Sequence, residues 1–248
     1  MPLTGAGTWW QEITGLLYPR ICALCGEHPA RPEDGLVCPE CWSRPGCLRF
    51  IRPPFCDRCG LPYDGAVTAT FTCGNCAGAD LAFSSARAAV VATEFVLEVV
   101  HRYKYGRALW FEPFLLDLLG RAARPWFAEE KVDRIVPVPL HPLKQREREF
   151  NQSERLARGL ARMVGVPLDA ALVRRRRATP SQTRLTRAQR AENVAGAFEP
   201  GTAELPVGAR VVVVDDVLTT GATTSAVART LRALGAARVD VWTVARGI

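Results

Sequence analysis

Between Val211 and Thr224 the chain reads VVVVDDVLTTGATT. Four consecutive β-branched residues suit a strand buried on both faces. Asp215 and Asp216 then fall at the carboxyl end of that strand, where open parallel sheets hold their ligands. The loop that follows, Thr219, Thr220, Gly221, Ala222 and Thr223, carries only small side chains, so backbone N–H groups can approach a ligand closely. Gly221 supplies the unusual φ of a tight cradle, and the helix expected directly afterwards favours an anion at its N-terminus. A phosphate monoester meets these demands. Two carboxylates beside a phosphate must face something else, and ribose hydroxyls or a bound Mg²⁺ are the natural candidates. Neither the P-loop signature nor a glycine-rich dinucleotide fingerprint occurs, which excludes the first class of phosphate site and argues against the second.

A second chemistry lies at the other end of the chain. Eight of the nine cysteines form four CxxC pairs, Cys22/Cys25, Cys38/Cys41, Cys56/Cys59 and Cys73/Cys76, and none follows Cys76. In a reducing compartment such pairs bind zinc more readily than they form disulfides, because a tight turn points both sulfurs at one tetrahedral ion. Four pairs imply two structural zinc ions. The intervening stretches of 12, 14 and 13 residues do not by themselves choose between sequential and cross-braced pairing. A repeat favours the sequential one: CALCG with CPEC is echoed by CDRCG with CGNC. That gives Cys22, Cys25, Cys38 and Cys41 to one ion and Cys56, Cys59, Cys73 and Cys76 to the other. Few large apolar residues lie between Arg20 and Ala79, so metal must supply much of the local fold. Cys47 is left as a spectator thiol.

These groups need a scaffold, and 248 residues with 48% hydrophobic content can build one substantial core with a small appendage. No stretch has the length of a membrane span and the first residues lack a signal peptide's pattern, so a cytoplasmic protein without membrane insertion is expected. The net charge of +7 is concentrated between His141 and Arg190, with 13 Lys or Arg against 4 Asp or Glu. That segment is either a solvated helical face or an anion-binding surface for phosphates or nucleic acid.

Trp9, Trp10, Ile13, Leu16 and Leu17 recur at helical spacing, giving an amphipathic helix over residues 1–20 that packs on a domain or binds a partner. The cysteine-rich unit occupies 21–80. From 81 to 248 the text alternates between strand and helix: a strand over Ala86–Thr93, a helix through Phe95, Val99 and Tyr103, another near Trp110–Ala123, and a strand over Arg134–Pro139. A helix capped by Asn151 then runs to about Met163, followed by the Val211–Val214 strand, a helix over Thr223–Leu234 ended by Gly235, and a last strand over Val239–Val244. This alternation predicts an α/β fold with a mainly parallel sheet flanked by helices.

VVVVDDVLTTGAT resembles the phosphoribosyl pyrophosphate (PRPP) motif of type I phosphoribosyltransferases. In that family the loop holds the 5′-phosphate and the acidic pair meets the ribose hydroxyls, which assigns Thr219–Thr223 and Asp215/Asp216. Four CxxC pairs followed by VPVPLHPLKQREREFNQ, RRRRATPSQTRLTRAQRAENVAGAF and the PRPP motif resemble, over nearly the whole length, the ComF family. Its members combine a double zinc ribbon with a phosphoribosyltransferase-like domain and are linked to DNA uptake in competent bacteria. The resemblance implies a pyrophosphate loop at Leu140, His141, Lys144 and Arg148, and a lid that includes Arg177, Gln182, Arg190 and Asn193. It also matches Lys104 to a lysine near the sheet. One departure stands out: the family commonly reads RGFNQ where this chain has Arg148-Glu149-Phe150-Asn151-Gln152, a glutamate in place of a glycine.

The implied cofactors are two Zn²⁺ and a Mg²⁺ carried with PRPP. The implied reaction is displacement of pyrophosphate from the anomeric carbon by a nitrogen nucleophile. With the last strand so close to the final residue, a C-terminal hood for the acceptor is not expected; the zinc module or the segment from Ala82 to Gly106 would roof that pocket. A different class of function is a zinc-ribbon adaptor that binds single-stranded DNA or a ComFA-like helicase ATPase, with PRPP or a nucleotide as a regulatory ligand.

Overall fold

A computed structural model describes residues 20–65, 67, 70–178 and 186–248, with the side chains of residues 187, 188, 190 and 191 outside that description. The helix expected over 1–20 therefore lies, up to residue 19, outside the described residues. In chain order the elements are α1 (Pro39–Ser43), β1 (Ser85–Val91), α2 (Glu94–Tyr105), α3 (Glu112–Glu129), β2 (Arg134–Pro137), α4 (Pro142–Arg148) and α5 (Gln152–Val164). They continue with β3 (Val173–Arg175), α6 (Arg187–Val194), β4 (Phe198–Pro200), β5 (Arg210–Leu218), α7 (Ala222–Ala233) and β6 (Arg238–Arg246).

The main sheet has the order β1-β6-β5-β2 and every pairing in it is parallel. Its central strand β5 is apolar at successive positions because both faces are covered. Val212 and Val214 join one core with Val99 and Tyr103 of α2, Phe114 and Leu118 of α3, and Leu156 and Leu160 of α5. Val211 and Val213 join another with Val227 and Leu231 of α7. A residue buried on either face gains from being apolar, which is why no alternation shows in this strand.

The cysteine-rich region is bound into the same body. Trp42 packs edge-on against Phe114 of α3 with ring centroids 4.7 Å apart, and Cys22, Cys38 and Cys41 are part of the α2–α3–α5 core. Between the two cysteine clusters the chain runs antiparallel along β1: Ile51 N–H donates to the Ala89 carbonyl and Val91 N–H to that of Arg49. The outer edge of β1 is thereby covered. The Thr93 hydroxyl accepts from Val96 N–H, capping α2, and donates to the Cys47 carbonyl at 2.6 Å.

Three departures from the sequence expectation have physical causes. The helix expected near Trp110–Ala123 starts as a 3-10 turn over Leu109–Phe111, and α3 then continues to Glu129 through Pro125. Beyond that proline, Trp126 packs on Trp242 of β6 at 5.9 Å, so tertiary contact holds a final turn that propensity alone would end. The stretch from Arg174 to Phe198, too polar to be a core strand, opens and closes with short strands instead: β3 and β4 pair antiparallel as a ribbon separate from the main sheet. Finally, the basic loop after β2 coils into α4, with the His141 ring nitrogen accepting from Leu143 N–H at its start.

Candidate functional site

β2 ends at Pro137, paired with Val214, whereas β5 runs on to Leu218 beside β6. The acidic pair thus sits where one neighbouring strand has left the sheet, and both residues are buried at 9% and 3% exposure. The Asp215 carboxylate accepts from the Ser153 hydroxyl at 2.7 Å and from Asp216 N–H at 3.0 Å. Ser153 is placed by the first turn of α5, which Asn151 caps: its side-chain oxygen accepts from Ser153 N–H and its amide donates to the Val138 carbonyl at 3.1 Å. Asp216 forms an ion pair with Lys104, which reaches in from the last turn of α2.

Electrostatics divide the two carboxyls. Burial, then the neighbouring charge of Asp216, pushes Asp215 up to about 7. Burial would raise Asp216 as well, but the Lys104 ammonium outweighs it and holds Asp216 below the ordinary carboxylate range. In turn burial disfavours the Lys104 charge, yet Asp216 and then Asp215 keep it above its ordinary value. Near neutrality the site therefore carries one neutralised carboxylate and one poised to lose or take a proton. Burial also lowers Arg175 of β3, partly offset by attraction to Asp215, and its guanidinium lies over the Phe198 ring at 5.3 Å. Neither Ser153 nor Arg175 was singled out by sequence. Ser153 sits three residues after Phe150 in the FNQS run, where only the cap residue carried a signal.

Beyond Leu218 the loop turns sharply. Gly221 has φ 77°, and a Cβ there would lie 3.2 Å from the Phe83 ring, so both conformation and space favour glycine. α7 begins at Ala222 with no side-chain cap; the Thr220 hydroxyl lies 3.4 Å from Ala222 N–H. First-turn amides of a helix have no intrahelical acceptor, which makes the start of α7 suited to an anion. The Ser225 hydroxyl accepts from Ala82 N–H at 2.9 Å, tying the helix start to the segment before β1.

Arg246, at the end of β6 and 5% exposed, locks the loop from below. It donates to the carbonyls of Thr219 at 2.8 Å, Leu218 at 3.2 Å and Cys59 at 2.9 Å, and lies 3.4 Å from the Cys59 sulfur. One guanidinium thus connects the small-residue loop with Cys59 of the second cysteine cluster, 187 residues from Arg246 in sequence.

The other sequence-selected residues are placed as follows. Leu140 and His141 lead into α4; Lys144 pairs with Glu147 at 3.1 Å on its surface. Arg148 lies over the Tyr105 ring at 4.8 Å and donates to Gln152. Glu149 adopts φ 69°, ψ −13°, the left-handed conformation that favours glycine, and pairs at 2.7 Å with Arg107, itself at φ 51°. Arg177 donates to the carbonyls of Asn193 and Ala195, at 3.1 and 2.9 Å, bracing the end of α6. Gln182 lies outside the described residues, as does the Arg190 side chain.

The cysteines gather in the sequential pairing. Cys22, Cys25, Cys38 and Cys41 form one cluster and Cys56, Cys59, Cys73 and Cys76 the other, with the sulfurs of each within 4.8 Å of one another. Cys22–Cys41 and Cys25–Cys38 are 3.8 Å apart and Cys59–Cys73 3.7 Å. A tetrahedron with zinc–sulfur bonds of about 2.3 Å has edges of about 3.8 Å, so the spacing fits a four-thiolate zinc site. Burial, then neighbouring thiols, raises Cys41 and Cys76, so these sulfurs ionise readily only with a cation among them.

Comparison with known proteins agrees with both halves. The double zinc ribbon domain family matches residues 13–77 and the phosphoribosyl transferase domain family matches residues 151–248. A DNA utilization protein, YhgH, of Salmonella typhimurium is 34% identical over 93% of this chain and 99% of its own length. Competence protein F of Haemophilus influenzae is 31% identical over 81% of this chain and 89% of its own. A solved adenine phosphoribosyltransferase is 19% identical, covering 58% of this chain and 74% of that one, at a TM-score of 0.37.

Proposed function

Because this chain belongs to the ComF family, a double zinc ribbon joined to a phosphoribosyltransferase domain, we propose that it binds PRPP at the β5–α7 loop and transfers its phosphoribosyl group to a nitrogen acceptor. The observation that carries this reading is the junction of the uncapped α7 start and its small-residue loop with a buried Asp215–Asp216 pair held by Ser153 and Lys104. The 5′-phosphate rests on the amides of Thr219–Thr223, and the carboxylates accept from the ribose hydroxyls. Attack by the acceptor nitrogen forms the bond to the anomeric carbon as the bond to pyrophosphate breaks; pyrophosphate leaves with the electron pair and the nitrogen's proton passes to solvent. Lys104 keeps Asp216 ionised, while α4, with Lys144 and Arg148, presents positive charge to the leaving group. Catalysis on this reading is positioning and electrostatics.

Hard oxygen donors suit Mg²⁺, and with Asp216 already paired to Lys104 the ion would be held by ligand phosphates and at most one carboxylate. When bound with PRPP it would supply charge neutralisation for the departing pyrophosphate. Relatives named for competence and DNA utilization make the handling of incoming DNA the setting in which we place the activity.

The test is calorimetry of PRPP with Mg²⁺ on the zinc-loaded protein and on the double variant Asp215→Asn/Asp216→Asn. Loss of binding with retained fold is expected; unchanged affinity refutes the assignment. Pyrophosphate release with a panel of nucleobases then reports transfer.

A second reading has its own observation. Arg148 stacks on Tyr105, which is 57% exposed. Aromatic rings beside guanidinium groups stack on unpaired bases, so this face supports a single-stranded DNA adaptor. Salt-sensitive binding of labelled single strands, without pyrophosphate release, favours that reading. Among the described residues no helix is long and apolar enough to cross a membrane.

A further inference from the structure

Arg107 and Glu149 pair at 2.7 Å, and both adopt positive φ, 51° and 69°, in the left-handed region that favours glycine. The pair joins two elements that hold the acidic residues. Arg107 follows the last turn of α2, three residues beyond Lys104, which pairs with Asp216. Glu149 ends α4, four residues before Ser153, which donates to Asp215. Resting on the PRPP reading above and deepening it, we propose that Arg107 binds the pyrophosphate group of the ligand and that Glu149 is its stand-in, an internal carboxylate that the pyrophosphate displaces.

α2 and α5 pack on the opposite face of the sheet from α7. A ribose held at Asp215 and Asp216, with its 5′-phosphate at the start of α7, therefore carries its pyrophosphate at the other end of the sugar, toward the end of α2 and the α4–α5 turn. These two elements are clasped by more than the ion pair. The Tyr103 and Phe150 ring centroids are 5.4 Å apart, Arg148 lies 4.8 Å over Tyr105, and Arg107 also donates to the Glu147 carbonyl at 3.4 Å. The ion pair itself is open to water, with side chains 56% and 62% exposed. An exposed pair shifts an equilibrium by about fivefold at most, so it is easily broken, whereas a guanidinium can give a phosphate two parallel, charge-assisted N–H bonds. Exchanging Glu149 for pyrophosphate thus replaces a weak contact with a stronger one and leaves the clasp in place. α4 supplies Lys144 and Arg148 from one side of this junction, and Arg107 supplies a guanidinium from the other. A ligand that ends in a hydroxyl instead gains nothing from the exchange, so Glu149 helps to set which phosphoribosyl compounds the site prefers.

Calorimetry on the full zinc-loaded chain with Mg²⁺ compares ribose 5-phosphate, inorganic pyrophosphate and PRPP in the unaltered protein, Arg107→Gln, Glu149→Gln and the double variant. Arg107→Gln is expected to weaken PRPP and pyrophosphate about tenfold, as loss of a charged hydrogen bond implies. Glu149→Gln is expected to strengthen both about three- to fivefold, and this gain should vanish in the double variant because it works through Arg107. Ribose 5-phosphate should change less than twofold throughout, which with two zinc ions per chain also certifies the fold. A loss below threefold in Arg107→Gln or no gain in Glu149→Gln overturns the proposal. So does a gain that persists without Arg107, which would mark general repulsion and not exchange, or a change in ribose 5-phosphate as large as that in PRPP. The loop reading stands in each of these cases as long as ribose 5-phosphate binds the unaltered protein. If ribose 5-phosphate fails to bind while pyrophosphate binds with the expected responses, the loop reading fails and Arg107 keeps its role; if pyrophosphate fails as well, the proposal falls too.

Discussion

Replacing Lys104 with methionine removes the one cation that pairs with Asp216 among the described residues and keeps a stem of similar length. The Lys104 side chain is 20% exposed and that of Asp216 4%, so the pair is mostly but not wholly out of water. Breaking a buried pair on one side costs about 3–5 kcal/mol. A ceiling exists, because Asp216 can escape by taking a proton. Each pH unit above an ordinary aspartate pKa of about 3.9 makes that escape dearer by about 1.4 kcal/mol, which sets the ceiling at about 3 kcal/mol at pH 6 and about 5 at pH 7.5. Allowing for the partial exposure, we expect Lys104→Met to lose about 2 kcal/mol at pH 6 and about 3–4 at pH 7.5. The sign follows from linkage. In the unaltered protein Asp216 is depressed, so its contribution is present above the ordinary aspartate pKa and is lost only as pH falls through its lower folded value. In the variant the same carboxyl is raised, and its penalty grows as pH rises. Asp215, raised to about 7 in the unaltered protein, adds penalty in the same direction and rises further once Lys104 is gone. Urea unfolding at the two pH values with zinc in excess, followed by tryptophan fluorescence, measures the difference. A loss below about 1 kcal/mol, or one that does not widen with pH, refutes the buried-pair reasoning.

Other consequences can be checked in parallel. If ligand hydroxyls or Mg²⁺ require an ionised Asp215, PRPP affinity should be about tenfold weaker at pH 6 than at pH 8, as expected for a carboxyl near 7, with proton release on binding below pH 7; calorimetry in two buffers of different ionisation enthalpy reads both. Glu149→Gly should relieve about 1 kcal/mol of left-handed strain against the loss of an exposed ion pair and a more flexible unfolded chain, leaving thermal stability within about 1 kcal/mol of the parent. A loss above 2 kcal/mol would show that the Arg107 pair, not the backbone, governs this turn. Arg246→Leu removes four polar contacts from the joint between the second cluster and the loop; ribose 5-phosphate binding should weaken by tenfold or more with both zinc ions retained, and unchanged binding would show that the loop holds its own shape.

What could be read in the sequence was local, and what could not was pairwise over long distance. Val211–Val214 announces a doubly buried strand because four neighbours obey one rule, and Asn151 announces a helix because its cap contacts lie within two residues. The cysteine clusters were legible for a similar reason: each knuckle is two residues wide, and a repeat supplied the pairing. β3 and β4 were hidden because each is only three residues long, and an alternation needs more positions than that to declare itself. In the candidate site the loop and the acidic pair are contiguous, but the groups that tune them come from elsewhere. Ser153 lies 62 positions before its carboxylate, Lys104 reaches in from the end of a different helix, and Arg246 reads as the ordinary charged end of a strand until its four carbonyl partners are seen. A buried arginine satisfied by main-chain oxygens leaves no periodic trace, because its partners are backbone atoms and any residue can supply them. The contact exists only once β6 has brought Arg246 beside both Cys59 and Thr219.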